Sequence, residues 1–155
     1  MLRVERQGRR LSHLIADLLL LVSLEQNSSL KLFYPCCLND LIADLTEELS
    51  ELATASNIHL ISRVPDSEIY VLGNESQLYR LVSNLIANAI QYSSAGGSVQ
   101  VSLSRSDKPN GMASLRTAVM AIEDTGIGIS PTEQSRIFER FYRVNSEGDC
   151  PSLSR

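Results

Sequence analysis

The sequence predicts a mixed α/β domain with a long apolar helix ahead of it. Two observations carry this reading. Stretches of strand-like alternation (58–64, 98–106 and 112–123) are interleaved with stretches of helical period (38–52 and 75–92). One strand-like run also ends in a turn with glycines at alternate positions, Asp124-Thr125-Gly126-Ile127-Gly128-Ile129. Such glycines permit positive φ and close backbone approach, and a carboxylate fixed at a strand end can accept a hydrogen bond from a ligand amino group. Asp124 is therefore expected to hold an adenine, against the alternative of a turn that binds nothing.

The bulk numbers exclude several classes. The chain has 155 residues, 43% of them hydrophobic, which suffices for one domain plus an attached element. A net charge of −4 and a pI near 5.2 leave no polycationic face, so nucleic acid is not an expected partner. The longest apolar run, Leu18 to Val22, sits between Asp17 and Glu25, far short of the roughly 20 residues a bilayer requires, so no membrane contact is expected from this segment. Glu5 and the lack of a small-residue cleavage site set aside a signal peptide. Cys36, Cys37 and Cys150 match neither metal-knuckle nor redox spacing, which suggests reduced thiols and a cytoplasmic setting.

In chain order, Leu11, Leu14, Ile15, Leu18, Leu21 and Val22 recur at helical spacing between residues 4 and 26, and Leu19, Leu20 and Leu24 widen the stripe. A bundle with a second copy of the same helix would bury it; packing on the rest of the domain is the alternative. His13 lies on the polar side, one turn from Asp17, where an ion pair explains it. Residues 28–34 read as a short edge strand ending at Pro35. The helix over 38–52 sets Leu38, Leu41, Ile42, Leu45, Leu49 and Leu52 against an acidic solvated face, with Asn57 as a left-handed cap beyond it. Residues 58–64 and 69–72 read as strands around the turn Pro65-Asp66-Ser67, with His59 a strand residue.

The helix over 75–92 turns Leu78, Val82, Leu85, Ile86, Ala89 and Ile90 to a core, and Arg80, Asn84, Asn88 and Gln91 away from it. Two asparagines one turn apart are locally unfavourable in a helix, a mismatch that hints at a function. A strand over 98–106 leads through Asp107-Lys108-Pro109-Asn110-Gly111, a hairpin turn, to the return strand over 112–123. Ser130, Pro131 and Glu133 read as a capping box opening a short helix through Phe138, with Phe138, Phe141 and Tyr142 clustered among arginines.

Taken together, Asn84 to Ser93 (NLIANAIQYS), Asp124 to Ile129 (DTGIGI) and Arg136 to Arg143 (RIFERFYR) resemble, in order and spacing, the N, G1 and F boxes of the sensor histidine kinase ATP-binding domain. The resemblance implies a two-layer α/β sandwich of the histidine kinase, gyrase and Hsp90 type, with ATP and Mg2+ as ligands. It implies that Asn88 is a magnesium ligand and that Asn84 lines the same site. It further implies that Asp124 reads adenine within a turn formed by Gly126, Ile127 and Gly128, that Tyr92 lies near the base or sugar, and that Phe138 and Phe141 anchor a lid. The first helix is similar to the second helix of the dimerisation and phosphotransfer hairpin, with Leu24-Glu25 at its end. Residues 1–28 are then a partial dimerisation helix and 29–155 the ATP-binding domain. On that alignment His13 is not the phospho-acceptor. A homodimer through the first helix and a response regulator are the implied partners.

Three positions depart from the family pattern. Gln91 stands where a lysine or arginine usually reaches the phosphates, and Asn74 replaces an aspartate at the helix start. Residues 149–155 contain no glycine-rich cradle of the kind expected of a G2 box, so the domain is expected to be C-terminally incomplete. Two functions follow: part of an ATP-dependent protein-histidine kinase, or a catalytically inactive fragment that dimerises with kinases or binds a response regulator.

Overall fold

The computed structural model describes residues 33–106 and 117–139. The first helix with His13, the turn at 107–111, and the segment holding Phe141, Tyr142 and Cys150 lie outside the described residues. Strand β1 (Tyr34–Cys37) leads directly into helix α1 (Leu38–Glu48), followed after Leu49 by the short helix α2 (Ser50–Ala55). Strands β2 (His59–Arg63) and β3 (Tyr70–Gly73) precede the long helix α3 (Glu75–Tyr92). Strands β4 (Ser98–Ser106) and β5 (Thr117–Asp124) and the single turn of helix α4 (Pro131–Gln134) complete the described chain.

The strands form two sheets. β1 and β3 pair antiparallel by themselves, while β2, β4 and β5 form a mixed sheet with β4 in the middle, parallel to β2 and antiparallel to β5. Along β4 the sequence alternates: Val99, Val101 and Leu103 are buried, and Gln100 and Ser102 lie on the other face. The buried face meets α1 and α3, whose Ile42, Leu45, Ile86 and Ile90 are almost completely enclosed. Helices on one side of a sheet whose other side is mostly polar make the two-layer sandwich that the resemblance implies. Among the described residues no polar side chain is buried in this core.

The N-terminus of α3 follows from its sequence. Asn74, in extended conformation, accepts a hydrogen bond from the Gln77 N–H at 3.1 Å, so this asparagine caps as the expected aspartate would. Asn57 holds the left-handed conformation (φ 56°) that closes α2, and the Ile58 N–H returns to the Ala53 carbonyl at 2.8 Å.

Several local expectations are corrected. Most of the strand expected over 28–34 lies outside the described residues; from Phe33 on, β1 begins at Tyr34 and runs through Pro35, which an edge strand tolerates because one of its sides makes no ladder bonds. The helix expected over 38–52 breaks at Leu49, and the buried series continues from Leu45 through Leu49 to Ala53 at four-residue steps, leaving Leu52 45% exposed. β2 and β3 do not pair with each other across the 65–67 turn. The Asn39 amide donates to the Pro65 carbonyl at 2.8 Å and its oxygen accepts from the Ile69 N–H at 2.9 Å, diverting β3 to β1. Leu85, expected to face the core, is 47% exposed.

Candidate functional site

The candidate site forms where the end of α3 meets the turn after β5. Asp124 is the last residue of β5, opposite Val99 in the ladder, which fixes the origin of its side chain. Its Oδ1 accepts the Gly126 N–H at 2.8 Å, closing a turn around the carboxylate. Asp124 is exposed, and among the described residues Oδ2 carries no hydrogen bond. One oxygen is thus immobilised by the backbone while the other is available to an N–H donor arriving from solvent.

The turn is fastened to the helix. Ser93 and Gly126 form an isolated antiparallel bridge, and the Ile127 N–H approaches the Tyr92 carbonyl at 3.4 Å. A Cβ on Gly126 would stand 2.5 Å from the Tyr92 carbonyl oxygen and 2.7 Å from Asp124 Oδ1, so the close approach of helix end and turn requires glycine here. Gly128 meets the other glycine requirement, with φ 70° and open space where a side chain would be.

Thr125, which sequence reasoning passed over, is a second fastening. Its Oγ1 accepts the Ser98 N–H at 2.9 Å and its own N–H donates to the Ser98 carbonyl at 3.1 Å. The signal available in the sequence was a hydroxyl residue between Asp124 and Gly126, aligned with the start of β4.

Asn84, Asn88 and Gln91 are all exposed on α3, and spacings of three, four and seven residues put them on one side of the helix. Asn88 precedes Tyr92 by one turn, so this polar side ends at the fastened glycine turn. Among the described residues neither asparagine amide has a hydrogen-bond partner. The Asn88 oxygen is a hard, neutral donor open to solvent, which fits a cation that keeps most of its coordination from water and phosphate oxygens. Among the described residues no three His, Cys, Asp or Glu side chains gather into a cation site of their own, so a metal here would need the ligand's phosphates as co-ligands.

The lid side is less assembled. Ser130 does not cap through the backbone; its hydroxyl donates to Glu133 Oε2 at 2.9 Å, and α4 lasts only through Gln134 instead of reaching Phe138. Residues 135–138 continue as turns, with the Arg136 and Ile137 N–H groups donating to the Glu133 carbonyl. Ile127 in the turn is 71% exposed and Tyr92 at the helix end 44%, and Phe138, beyond α4, is 90% exposed. Phe141 lies outside the described residues.

Residues 73–151, half of the chain, match the family of histidine kinase-, DNA gyrase B- and HSP90-like ATPases. The sensor histidine kinase RppB of Synechocystis sp. is 57% identical over 144 residues, covering 93% of this chain and 30% of that protein. The chain therefore spans about a third of the length of this relative. Among solved structures, the mycobacterial sensor histidine kinase MprB superposes with a TM-score of 0.60 at 31% identity, over 72% of this chain and 67% of that one. The histidine kinase ThkA, solved in complex with the response regulator TrrA, shares the fold (TM-score 0.64, 18% identity, 88% of this chain and 38% of that one). With the strand-end carboxylate, the glycine turn and the asparagine side of α3 in place, the chain belongs to the histidine kinase-, DNA gyrase B- and HSP90-like ATPase family and is a histidine kinase-type ATPase domain of the sensor kinase class.

Proposed function

We propose that this domain binds ATP with Mg2+ and presents the γ-phosphate to a protein histidine, as the ATP-binding part of a two-component sensor kinase. The observation that supports it is the half-satisfied carboxylate of Asp124: one oxygen is held by Gly126 and the other is open, beside a helix whose polar side carries Asn84 and Asn88. In this reading Asp124 accepts the exocyclic amine of adenine, and Gly126, Ile127 and Gly128 form the wall under the base. Tyr92 borders the base or sugar. Phe138 and Phe141 anchor a lid.

Asn88 would hold the magnesium ion through its amide oxygen, with Asn84 and Gln91 along the phosphate path. Bound there, the ion would neutralise charge between phosphate oxygens, which carries much of the work of phosphoryl transfer. Asn84 has no proton-accepting group at neutral pH, so it cannot activate water as a general base. Transfer to a side chain suits this helix better than hydrolysis. Neither of the chain's two histidines serves as acceptor in this proposal: His59 is a β2 strand residue paired within the sheet opposite Ser98, and the alignment of the first helix does not place His13 as the acceptor. The acceptor is then a histidine outside these 155 residues.

Residues 1–28 serve in this proposal as part of the dimerisation helix and 29–155 as the nucleotide domain, working with a response regulator in the cytoplasm. Among the described residues no helix is long and apolar enough to cross a membrane. Calorimetric titration of the full chain with a non-hydrolysable ATP analogue, with and without Mg2+, tests the pocket. Asp124→Asn should weaken binding about tenfold or more through loss of a charged acceptor, and Asn88→Ala should remove the dependence on Mg2+. Unchanged affinity in both variants refutes the assignment.

A further inference from the structure

The chain leaves the sheet at Thr125, between the strand that ends on Asp124 and the turn that starts on Gly126. Its hydrogen bonds are those of one more ladder step made with a substituted partner. The Thr125 N–H donates to the Ser98 carbonyl at 3.1 Å, as a hydrogen-bonded antiparallel pair requires. The Ser98 N–H, however, donates to Thr125 Oγ1 at 2.9 Å, where a continuing ladder would offer the Thr125 carbonyl. The side chain completes the pair while the backbone carbonyl is released into the turn.

Alternation along the ladder makes the preceding pair, Asp124 opposite Val99, one without hydrogen bonds between its two residues. Asp124 is therefore held by its neighbours, through Glu123 paired with Gln100 on one side and the Thr125 clip on the other. Gly97 makes room for that clip. A Cβ there would stand 2.5 Å from Thr125 Oγ1 and 2.9 Å from the Ser94 carbonyl oxygen. The Gly97 carbonyl in turn accepts the His59 N–H at 2.9 Å, which ties the docking point into β2.

We propose that Thr125 is a positioning residue for base selection: its hydroxyl fixes the direction of the Asp124 carboxylate so that a 6-amino purine is taken and a 6-oxo purine refused. The inference rests on the adenine reading of Asp124. Oδ1 is occupied by the Gly126 N–H at 2.8 Å, and the peptide carrying that N–H begins at Thr125, so the hold on Thr125 also sets where Oδ2 faces. A 6-amino purine offers its donor on the exocyclic nitrogen, whereas a 6-oxo purine presents an acceptor there and carries its proton on the adjacent ring nitrogen. A carboxylate free to swing follows the donor from one position to the other. A clamped one does not.

The full chain is titrated calorimetrically with ADP and with inosine diphosphate. The unaltered protein should bind ADP about tenfold or more the tighter. Thr125→Val keeps the shape and removes the hydroxyl; it should weaken ADP binding about tenfold without weakening inosine diphosphate, so that the ratio collapses. Thr125→Ser, which restores an Oγ, should restore the ratio. Ser98→Pro removes the same bond from its donor side, at the first position of β4 where proline is tolerated, and gives the same comparison should Thr125→Val fail to fold. An undiminished ratio in Thr125→Val, whatever happens to the two affinities, overturns the inference and leaves the adenine reading standing. Loss of the fold in both Thr125→Val and Ser98→Pro assigns the bond to stability and also overturns it. Equal affinities in the unaltered chain overturn the adenine reading together with this one.

Discussion

Gly126 and Gly128 are two letters apart in one motif and do different things. At Gly126 the constraint is space: a methyl group would press on the Tyr92 carbonyl and the Asp124 carboxylate at once, and both atoms are held by the secondary structure they end. At Gly128 there is room, and the constraint is a φ of 70°. Gly128→Ala should cost about 1 kcal/mol of stability, the ordinary penalty of a left-handed residue, with nucleotide affinity largely kept. Gly126→Ala should push the turn off the helix, lowering stability by about 1–3 kcal/mol and abolishing nucleotide binding; denaturant unfolding and calorimetry on both variants separate the two cases. The sequence shows two glycines and not which of these reasons applies, because the clash partner at Gly126 includes Tyr92 at the end of α3, 34 positions upstream, and is met only in three dimensions. Tyr79 offers a second residue-level test. Its hydroxyl donates to Glu48 across α1 and α3, and this bond, then desolvation and the negative charges of Glu48 and Asp44, hold its pKa above the ordinary 10.0. The protonated phenol therefore favours the fold below pH 10, and this contribution disappears as pH rises through the raised folded value. Ultraviolet titration of the tyrosines should show late-ionising phenols at Tyr79 and at Tyr70, which Glu68 holds up in the same way, and Glu48→Gln should move only the Tyr79 phenol earlier.

At the scale of elements, periodicity located α3 and β4 at their observed limits, because a buried face repeats its demand every few residues. It was weaker wherever a single distant side chain decides the outcome. The sequence around Pro65-Asp66-Ser67 has the composition of a hairpin turn, yet Asn39 in α1 holds both ends of that loop and separates β2 and β3 into different sheets. An asparagine on a helix start carries no sequence sign that it will do this. Asn39→Ala should remove both bonds and leave the Ile69 N–H short of a partner, costing about 1–3 kcal/mol. Amide exchange should rise at residues 65–73 and stay unchanged in β4 and β5, which Asn39 does not touch. Likewise the capping box at Ser130 and Glu133 was legible as a pair, but the two side chains bond each other, and the helix they open ends after one turn. A four-residue helix with no buried residue has no packed face to extend it.

At the scale of the whole molecule, the site is a seam between layers. Asp124 belongs to the sheet and Asn88 to the helical layer; among the described residues the contacts of Gly126 and Ile127 with Ser93 and Tyr92 join the turn to the helix at the solvent edge, while the Thr125 clip to Ser98 holds the turn to the sheet. The buried centre of the sandwich, from Ile86 and Ile90 to Val99 and Val101, holds the layers together some distance below that edge. A ligand touching both layers therefore adds a link where the sandwich has few of its own. Nucleotide bound to the folded state alone should raise stability by about 2.7 kcal/mol at a concentration one hundredfold above its dissociation constant, seen as a rise of several degrees in melting temperature. If the Asp124 turn and the Asn88 side of α3 grip the same molecule, the rise should require Mg2+ for its full size and should vanish in Gly126→Ala, where the sheet-borne turn no longer meets the helix. A full rise in Gly126→Ala would mean that nucleotide binds without spanning the seam.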